Sequence, residues 1–386
     1  MESKKNMKKI LFVSDAGLHS SAFDTQVWFY LRKLKQKNPS IFLVILQQGF
    51  LNSKLKLKLE KVKEELGKER VFVFKQFPRV FSFVMKKESL RLRKFLKDIS
   101  FDVIHAHGTA GSFMAIKAWP QIPVVADLRG VVSEEFRVYG KGLFNKVRVK
   151  EFANIEKFVM KNAKFVFCVS KRFKEFLEDK FGNKNIMTVP TLVDCEKFFF
   201  SPELRSKFRK KLAIDEKIVF VYSGSVVKWQ KPEETALLFS RIKKKKKNAI
   251  LFFLTPQRKK ARKLLSKYIN LEDCLIETVP CEEICGYLNA ADFALIFRDQ
   301  NIVNKVASPI KIGEYLLCGL PVIATKGIGD FDENFKEYKL DGINLDKFDF
   351  SLLDEEKRFQ ISRMGRRIYS IQENLPKILS VYERLR

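Results

Sequence analysis

Acidic residues are scarce in this sequence relative to basic ones. Asp and Glu number 45 against 74 Lys and Arg, a formal charge of +29 over 386 residues. That imbalance disfavours a cationic partner. It favours an anionic one: nucleic acid, an anionic membrane surface or a phosphorylated ligand. A generally Lys-rich protein complement would produce the same excess without a function. Long hydrophobic runs are also missing, since no segment approaches the roughly 20 apolar residues of a spanning helix. Lys4, Lys5, Lys8 and Lys9 precede an apolar stretch as in a leader, but that stretch covers only residues 10–13 before Ser14 and Asp15, too short for a signal core. There are six cysteines, Cys168, Cys195, Cys274, Cys281, Cys285 and Cys318. Cys281 and Cys285 are four apart with no second close pair or nearby His, which argues against a zinc site. Buried, reduced thiols are the expectation, in keeping with a cytoplasmic protein. Histidine is rarer still, with three in the chain. No internal repeat is visible, and the only low-complexity run is 243–247, expected as the solvated end of a helix.

What is present is apolar material for two cores: 46% hydrophobic residues, among them 37 Phe. A chain this long exceeds what one core usually supports. Short apolar runs alternate with longer amphipathic, Lys-rich stretches, the pattern of parallel α/β structure. Strands are predicted at 10–13, 42–46, 71–74, 103–105, 124–126, 165–169 and 187–189. A polar loop over 15–21 follows the first, with a helix from about Ala22. Residues 196–215 are charged and weakly patterned and are expected to be a linker. The alternation then resumes at 218–222, 250–254, 276–279, 293–297 and 322–324, and a helix is expected over about 364–386. This predicts two doubly wound units, residues 1–195 and 196–363, of the kind that bind ligands at strand carboxyl ends.

The sharpest segment is SPIKIGEYLLCGLP at 308–321. Ser308 suits a helix cap and Pro309 a first turn. The bare N–H groups around Ile310 at such a start suit a diphosphate. Lys311 adds a positive charge. Glu314, one turn on, cannot bind phosphate but can accept hydrogen bonds from a ribose. An ordinary capped helix is the competing reading. A second segment is YSGSVVKWQ at 222–230, where a strand runs into Ser223, Gly224 and Ser225. The small residues allow close backbone approach, and Lys228 and Lys231 follow within reach of a phosphate; the plain alternative is a strand-to-helix turn. In the first half, VIHAHG at 103–108 places His105 and His107 at a strand end, and DLRGVVSEE at 127–135 brings Asp127, Arg129, Glu134 and Glu135. His105 is expected to be a satisfied core histidine, while Gly17 and His19 lie in the loop after the first strand. Asp330-Phe331-Asp332 matches a metal-binding Asp-x-Asp pattern but reads better as a helix start.

Taken in order, VIHAHG (103–108), AKFVFCVS (163–170), VPTLVD (189–194), YSGS with Lys228, AAD (290–292) and SPIKIGEYLLCGLPVIAT (308–325) resemble the GT-B retaining glycosyltransferases of glycosyltransferase family 4 along nearly the whole chain. The resemblance implies two Rossmann-like domains facing across a cleft, with an acceptor held by the first and a nucleotide-diphosphate sugar mainly by the second. It implies a last helix that packs back on the first domain. Glu314 matches the ribose-holding glutamate. Lys228, or else Lys231, resembles the basic diphosphate contact, and 308–311 the turn that holds phosphate and sugar. Two positions depart from the pattern: Val306 stands where a sugar-contacting glutamate is frequent, and Arg129 before Gly130 where a histidine is usual.

Stabilising negative charge on the leaving diphosphate needs fixed N–H dipoles and cations, which can act in place of a metal. No cofactor or metal is therefore expected beyond the donor substrate. Arg129, Glu134, Glu135 and His107 are the expected catalytic residues, and Gly17 and His19 the expected acceptor-side loop. The acceptor is expected to be a glycan or a lipid-linked molecule in cell-surface polysaccharide synthesis. Residues 81–97 interleave Phe81, Phe83, Val84, Met85, Leu90, Leu92 and Phe95 with cations, which suits an anionic membrane surface; a core-packed surface helix is the alternative. A nucleotide-sugar epimerase of the same fold, a non-catalytic binding module and a nucleic-acid-binding protein are the rivals. No nucleic acid is expected, since the Lys run carries no interleaved aromatic residues.

Overall fold

The computed structural model describes residues 8–77, 81–182, 185–334, 339–341 and 350–385. Lys4 and Lys5 of the leader-like segment, and the end of the closing helix at Arg386, lie outside them. The chain forms two compact units, one made of Met1–Leu192 with Asn374–Arg386 and the other of Val193–Glu373.

The first unit holds a seven-stranded parallel sheet: β1 Ile10–Ser14, β2 Ile41–Gln47, β3 Val71–Lys75, β4 Val103–His107, β5 Val124–Leu128, β6 Phe165–Cys168 and β7 Ile186–Thr188. Their order is β3-β2-β1-β4-β5-β6-β7. Every residue of β1, β4 and β5 is buried, the expected result when helices cover both faces of a parallel sheet. The second unit holds β8 Ile218–Ser223, β9 Ala249–Leu254, β10 Cys274–Glu277, β11 Phe293–Ile296, β12 Val322–Ala324 and β13 Lys339–Asp341, in the order β10-β9-β8-β11-β12-β13. Each predicted strand is present, and β13 is an addition. Strand order reverses between β1 and β4 in one unit and between β8 and β11 in the other. Such switch points open a crevice at the strand carboxyl ends.

Three sequence expectations need correction. Residues 196–215 are not a linker, because Pro202–Lys211 is a helix capped by Ser201 and built into the second unit. Its Phe208 ring lies against Gly286, leaving no room for a Cβ there. Its pattern looked weak because Arg205 and Arg209 occupy its inner face, where both reach Asp292. The closing helix is two helices, Glu355–Tyr369 and Ile371–Arg384, parted at the extended Ser370. The first stays with the second unit, where Gly365 packs closely on Leu316. Lastly, the thiols are not all buried: Cys281 is exposed and Cys274 half-buried. Among the described residues no helix is long and apolar enough to cross a membrane.

Candidate active site

In the second unit the site is built where β8 ends. Ser223, Gly224 and Ser225 form a turn whose amides are turned inward. The Ser223 N–H donates to the Tyr315 hydroxyl at 2.9 Å, that of Gly224 to the Leu254 carbonyl at 3.0 Å, and that of Ser225 to Gln230 Oε1 at 3.0 Å. A Cβ on Gly224 would displace the Gln230 amide oxygen, which holds the Ser225 N–H. The turn therefore offers close approach and not a row of free donors. Of the two candidate lysines, Lys231 is occupied, pairing with Asp299 at 2.6 Å and Glu234 at 2.9 Å. Those two hydrogen bonds, with Asp299 first, push its ammonium well above the usual lysine range. Lys228 is exposed and has no ion pair among the described residues.

The helix Ile310–Leu317 starts at Pro309, which occupies the cap position itself. Ser308 was expected there and instead precedes it, and no side chain caps the first turn. The Pro309 carbonyl accepts from the Ile312 N–H at 3.1 Å, but the proline ring has no side-chain acceptor, so the N–H groups of Ile310 and Lys311 have no intrahelical acceptor. Lys311 Nζ holds Glu314 Oε2 at 2.8 Å, and Glu314 is buried. Tyr315, next along the helix, reaches the β8 turn through its hydroxyl. Helix and turn are thus locked together. Val306 is buried and has no polar group to offer a sugar.

In the first unit the polar side chains gather at the ends of β1, β4 and β5. His107 Nδ1 lies 3.0 Å from Asp15 Oδ1 and its Nε2 3.4 Å from Gln26. Gly108, with φ of +79°, presses on the Asp15 carboxylate so closely that a Cβ has no space. Arg129 donates to Asp127 Oδ2 at 2.6 Å, and its Nε is buried without a partner among the described residues. His105 is a core histidine, bonded to Asp127 and Tyr382. Glu135 touches the position a Cβ of Gly130 would take, at 2.6 Å. Its tip reaches solvent, yet burial by the surrounding atoms, then Glu156 and Asp15, push its carboxyl up to about 7. Glu134 is buried and pairs with Arg137 at 2.5 Å. Gly17 closes on His19 and Gln47, and Lys58 Nζ pins the Leu18 carbonyl at 2.7 Å.

Residues 54–197 match the family model Glycosyltransferase Family 4, and residues 205–355 match Glycosyl transferases group 1. The structure superposes on Anabaena Alr3699/HepE in complex with UDP with a TM-score of 0.72 at 15% identity, over 98% of this chain and 100% of that one. A glycosyltransferase from Rickettsia africae superposes with a TM-score of 0.70 at 16% identity, over 98% of each chain. WaaG, a glycosyltransferase involved in lipopolysaccharide biosynthesis, gives 0.64 at 14% identity, over 97% of this chain and 100% of that one. The chain is a glycosyltransferase of the GT-B fold. No curated protein matches this glycosyltransferase in sequence.

Several side chains around these two clusters of the glycosyltransferase escaped sequence reading. Tyr315, Gln230 and Gln257 hold the β8 turn, the last through the Val226 N–H at 2.6 Å. Asp15 and Tyr382 buttress the first unit's cluster. Only Asp15 carried a signal, as an acid at the end of the first strand. The rest are ordinary residues whose partners lie far away in sequence. Asp332 accepts from the Gly327 N–H at 2.5 Å, and Phe331–Asn334 is a helix, as expected of the Asp-x-Asp segment.

Proposed function

We propose that this glycosyltransferase moves a sugar from a nucleotide-diphosphate sugar, a UDP-sugar above others, to a glycan or lipid-linked acceptor of a cell-surface polysaccharide. The reading rests on one juxtaposition. The uncapped start of Ile310–Leu317, with Lys311 and the buried Glu314, is tied by Tyr315 to a turn followed by the unpaired Lys228. Bare N–H groups and two lysines suit a pyrophosphate. Glu314 suits the hydroxyls of an adjoining ribose, with Lys311 released from it toward the phosphates. UDP is favoured because Anabaena HepE binds UDP and UDP-glucose.

In the first unit, Arg129 and Glu135 are the proposed contacts at the reacting sugar and acceptor, with His107 and the Gly17–His19 loop on the acceptor side. Arg129 has a spare buried donor, and a carboxyl near 7 can exchange a proton with an acceptor hydroxyl. Retention of configuration without a metal fits leaving-group charge met by N–H dipoles and lysines. Thermal unfolding in UDP-, GDP-, ADP- and CDP-sugars tests the donor, since a ligand of the native state raises the midpoint. A UDP-sugar should raise it by several degrees, and Lys228→Ala should cut that response by about tenfold in affinity. Indifference to all four classes overturns the donor site.

The proposed place of work is the cytoplasmic face of a membrane. Leu143 is 97% exposed and Phe144 66% exposed, between Lys141 and Lys146. Phe83, Leu90 and Phe95 are exposed on the helix Ser82–Phe95, whose first N–H donates to Glu151 of the helix Asn145–Asn162 at 2.9 Å. Apolar tips ringed by cations suit anionic lipid. Flotation should carry the protein with anionic vesicles and not neutral ones. Leu143→Ser with Phe144→Ser should weaken binding about tenfold or more, given roughly 1.5–3 kcal/mol per buried side chain. Equal flotation of the variant removes this surface from the proposal.

A further inference from the structure

The first unit contains a buried chain of hydrogen bonds that the proposed chemistry does not use directly. Tyr30 Oη lies 2.8 Å from Tyr382 Oη, Tyr382 Oη lies 2.5 Å from His105 Nδ1, and His105 Nε2 lies 3.2 Å from Asp127 Oδ2. The same Asp127 oxygen accepts from Arg129 at 2.6 Å. Tyr30, His105, Asp127 and Tyr382 are each no more than 4% exposed. The chain joins His105 of β4, Asp127 of β5 and Arg129 just beyond it to a tyrosine on the helix Ile371–Arg384, more than 250 residues later.

The direction of every hydrogen bond follows from its far end. Burial alone would raise the Asp127 carboxyl, but the Arg129 charge and the His105 hydrogen bond hold it well below the usual carboxylate range. An ionised carboxylate only accepts, so His105 must carry its proton on Nε2. Burial also pushes the imidazole below its usual range, so the ring is neutral and Nδ1 is a lone pair. The Tyr382 hydroxyl must then donate to Nδ1, and its own oxygen accepts from Tyr30. Phe12 stacks on the ring at 4.4 Å and Tyr382 packs at 76° to it, contacts that hold the plane of the imidazole. With a neutral ring, one proton arrangement satisfies the whole chain, and it ends on the oxygen that holds Arg129.

We propose that Tyr382 is a positioning residue: through His105 and Asp127 it fixes the Arg129 guanidinium in the orientation that the transfer reaction uses. The inference rests on the reading of Arg129 given above. Arg129 has its unpartnered Nε buried and a side chain 20% exposed. A small rotation would bury its donors differently and change the direction in which the charge points.

The test is a double-mutant cycle on UDP release from UDP-glucose, run beside phenylglyoxal modification of Arg129 followed by peptide mass spectrometry. Tyr382→Phe keeps the ring and removes the hydroxyl. It should lower kcat about fivefold, the factor expected for one net hydrogen bond, with donor KM within about twofold. In an Arg129→Ala background the same change should cost nothing further. Phenylglyoxal should modify Arg129 about threefold faster in Tyr382→Phe, because the side chain is no longer pinned. Tyr30→Phe, one link further out, should give the same changes more weakly, and it serves if Tyr382→Phe does not fold. Equal losses in both backgrounds, or unchanged phenylglyoxal reactivity, overturn the relay. If Arg129→Ala turns over normally, the reading of Arg129 fails and the proposal with it. If the wild type turns over no UDP-glucose, the donor reading is at fault, and phenylglyoxal still decides the relay.

Discussion

Replacing Glu314 by Ala is expected to lower kcat/KM for the sugar nucleotide by about two orders of magnitude while the fold survives. The carboxylate is buried at the helix Ile310–Leu317, and its one described partner is Lys311 at 2.8 Å. A ribose bound beside it presents two hydroxyls to two carboxylate oxygens. Hydrogen bonds to a charged group are worth about 1.5–3 kcal/mol each, so losing the pair costs about a hundredfold or more. The stability cost is small, because the released Lys311 is half-buried and can turn to water. Glu314→Gln keeps one acceptor and should lose less than Glu314→Ala. Steady-state UDP release and a donor titration separate the two variants. Unchanged kinetics in Glu314→Ala would mean that the sugar nucleotide binds elsewhere.

The largest stability effect is expected at Asp292, the acid of the AAD segment. Its side chain is 2% exposed. It accepts from Arg205, from Arg209 Nη1 at 3.3 Å and from the Val219 N–H at 2.8 Å. Arg358 shares this corner of the second unit, donating to the Ala291 carbonyl at 2.9 Å. Burial, then the neighbouring Arg205, push the Arg358 guanidinium down to about 9. Three arginines thus meet around one acid. Removing one partner of a buried ion pair typically costs about 3–5 kcal/mol, because the charge left behind has neither water nor a counter-ion. Asp292→Ala should therefore lower the thermal unfolding midpoint by about 10 °C. Asp292→Asn keeps an acceptor for Val219 and should fall between the two. A shift of a degree or less in the Ala variant would show that water reaches these arginines.

The arginine corner also explains where sequence reading went astray. The helix Pro202–Lys211 reads as a linker in sequence because Arg205 and Arg209 lie on its inward face. A buried arginine looks like a surface residue until the carboxylate that neutralises it is known, and Asp292 lies more than 80 residues away. Ser308 was misplaced as a cap for a local reason. Both Ser308 and Pro309 suit a helix start, and only the backbone path shows that the proline takes the cap. β13 was missed because three residues, Lys339–Asp341, are too few for a period to register.

By itself the sequence determined the two parallel sheets, since strands buried on both faces must read as continuous apolar runs, and each predicted run became a strand. It also determined which segments carry chemistry, because a helix start with lysine and glutamate one turn apart is a local pattern. The tertiary structure decided the roles within those segments. It occupied Lys231 with Asp299 and Glu234 and left Lys228 without an ion pair, and it turned the amides of the β8 turn inward onto Tyr315, Leu254 and Gln230. It joined Tyr382 to Arg129 through His105 and Asp127. The physical reason is one of range. Apolar burial follows from residue type and local period, whereas a hydrogen bond or ion pair depends on two groups meeting within about 3 Å, which only the folded chain brings about.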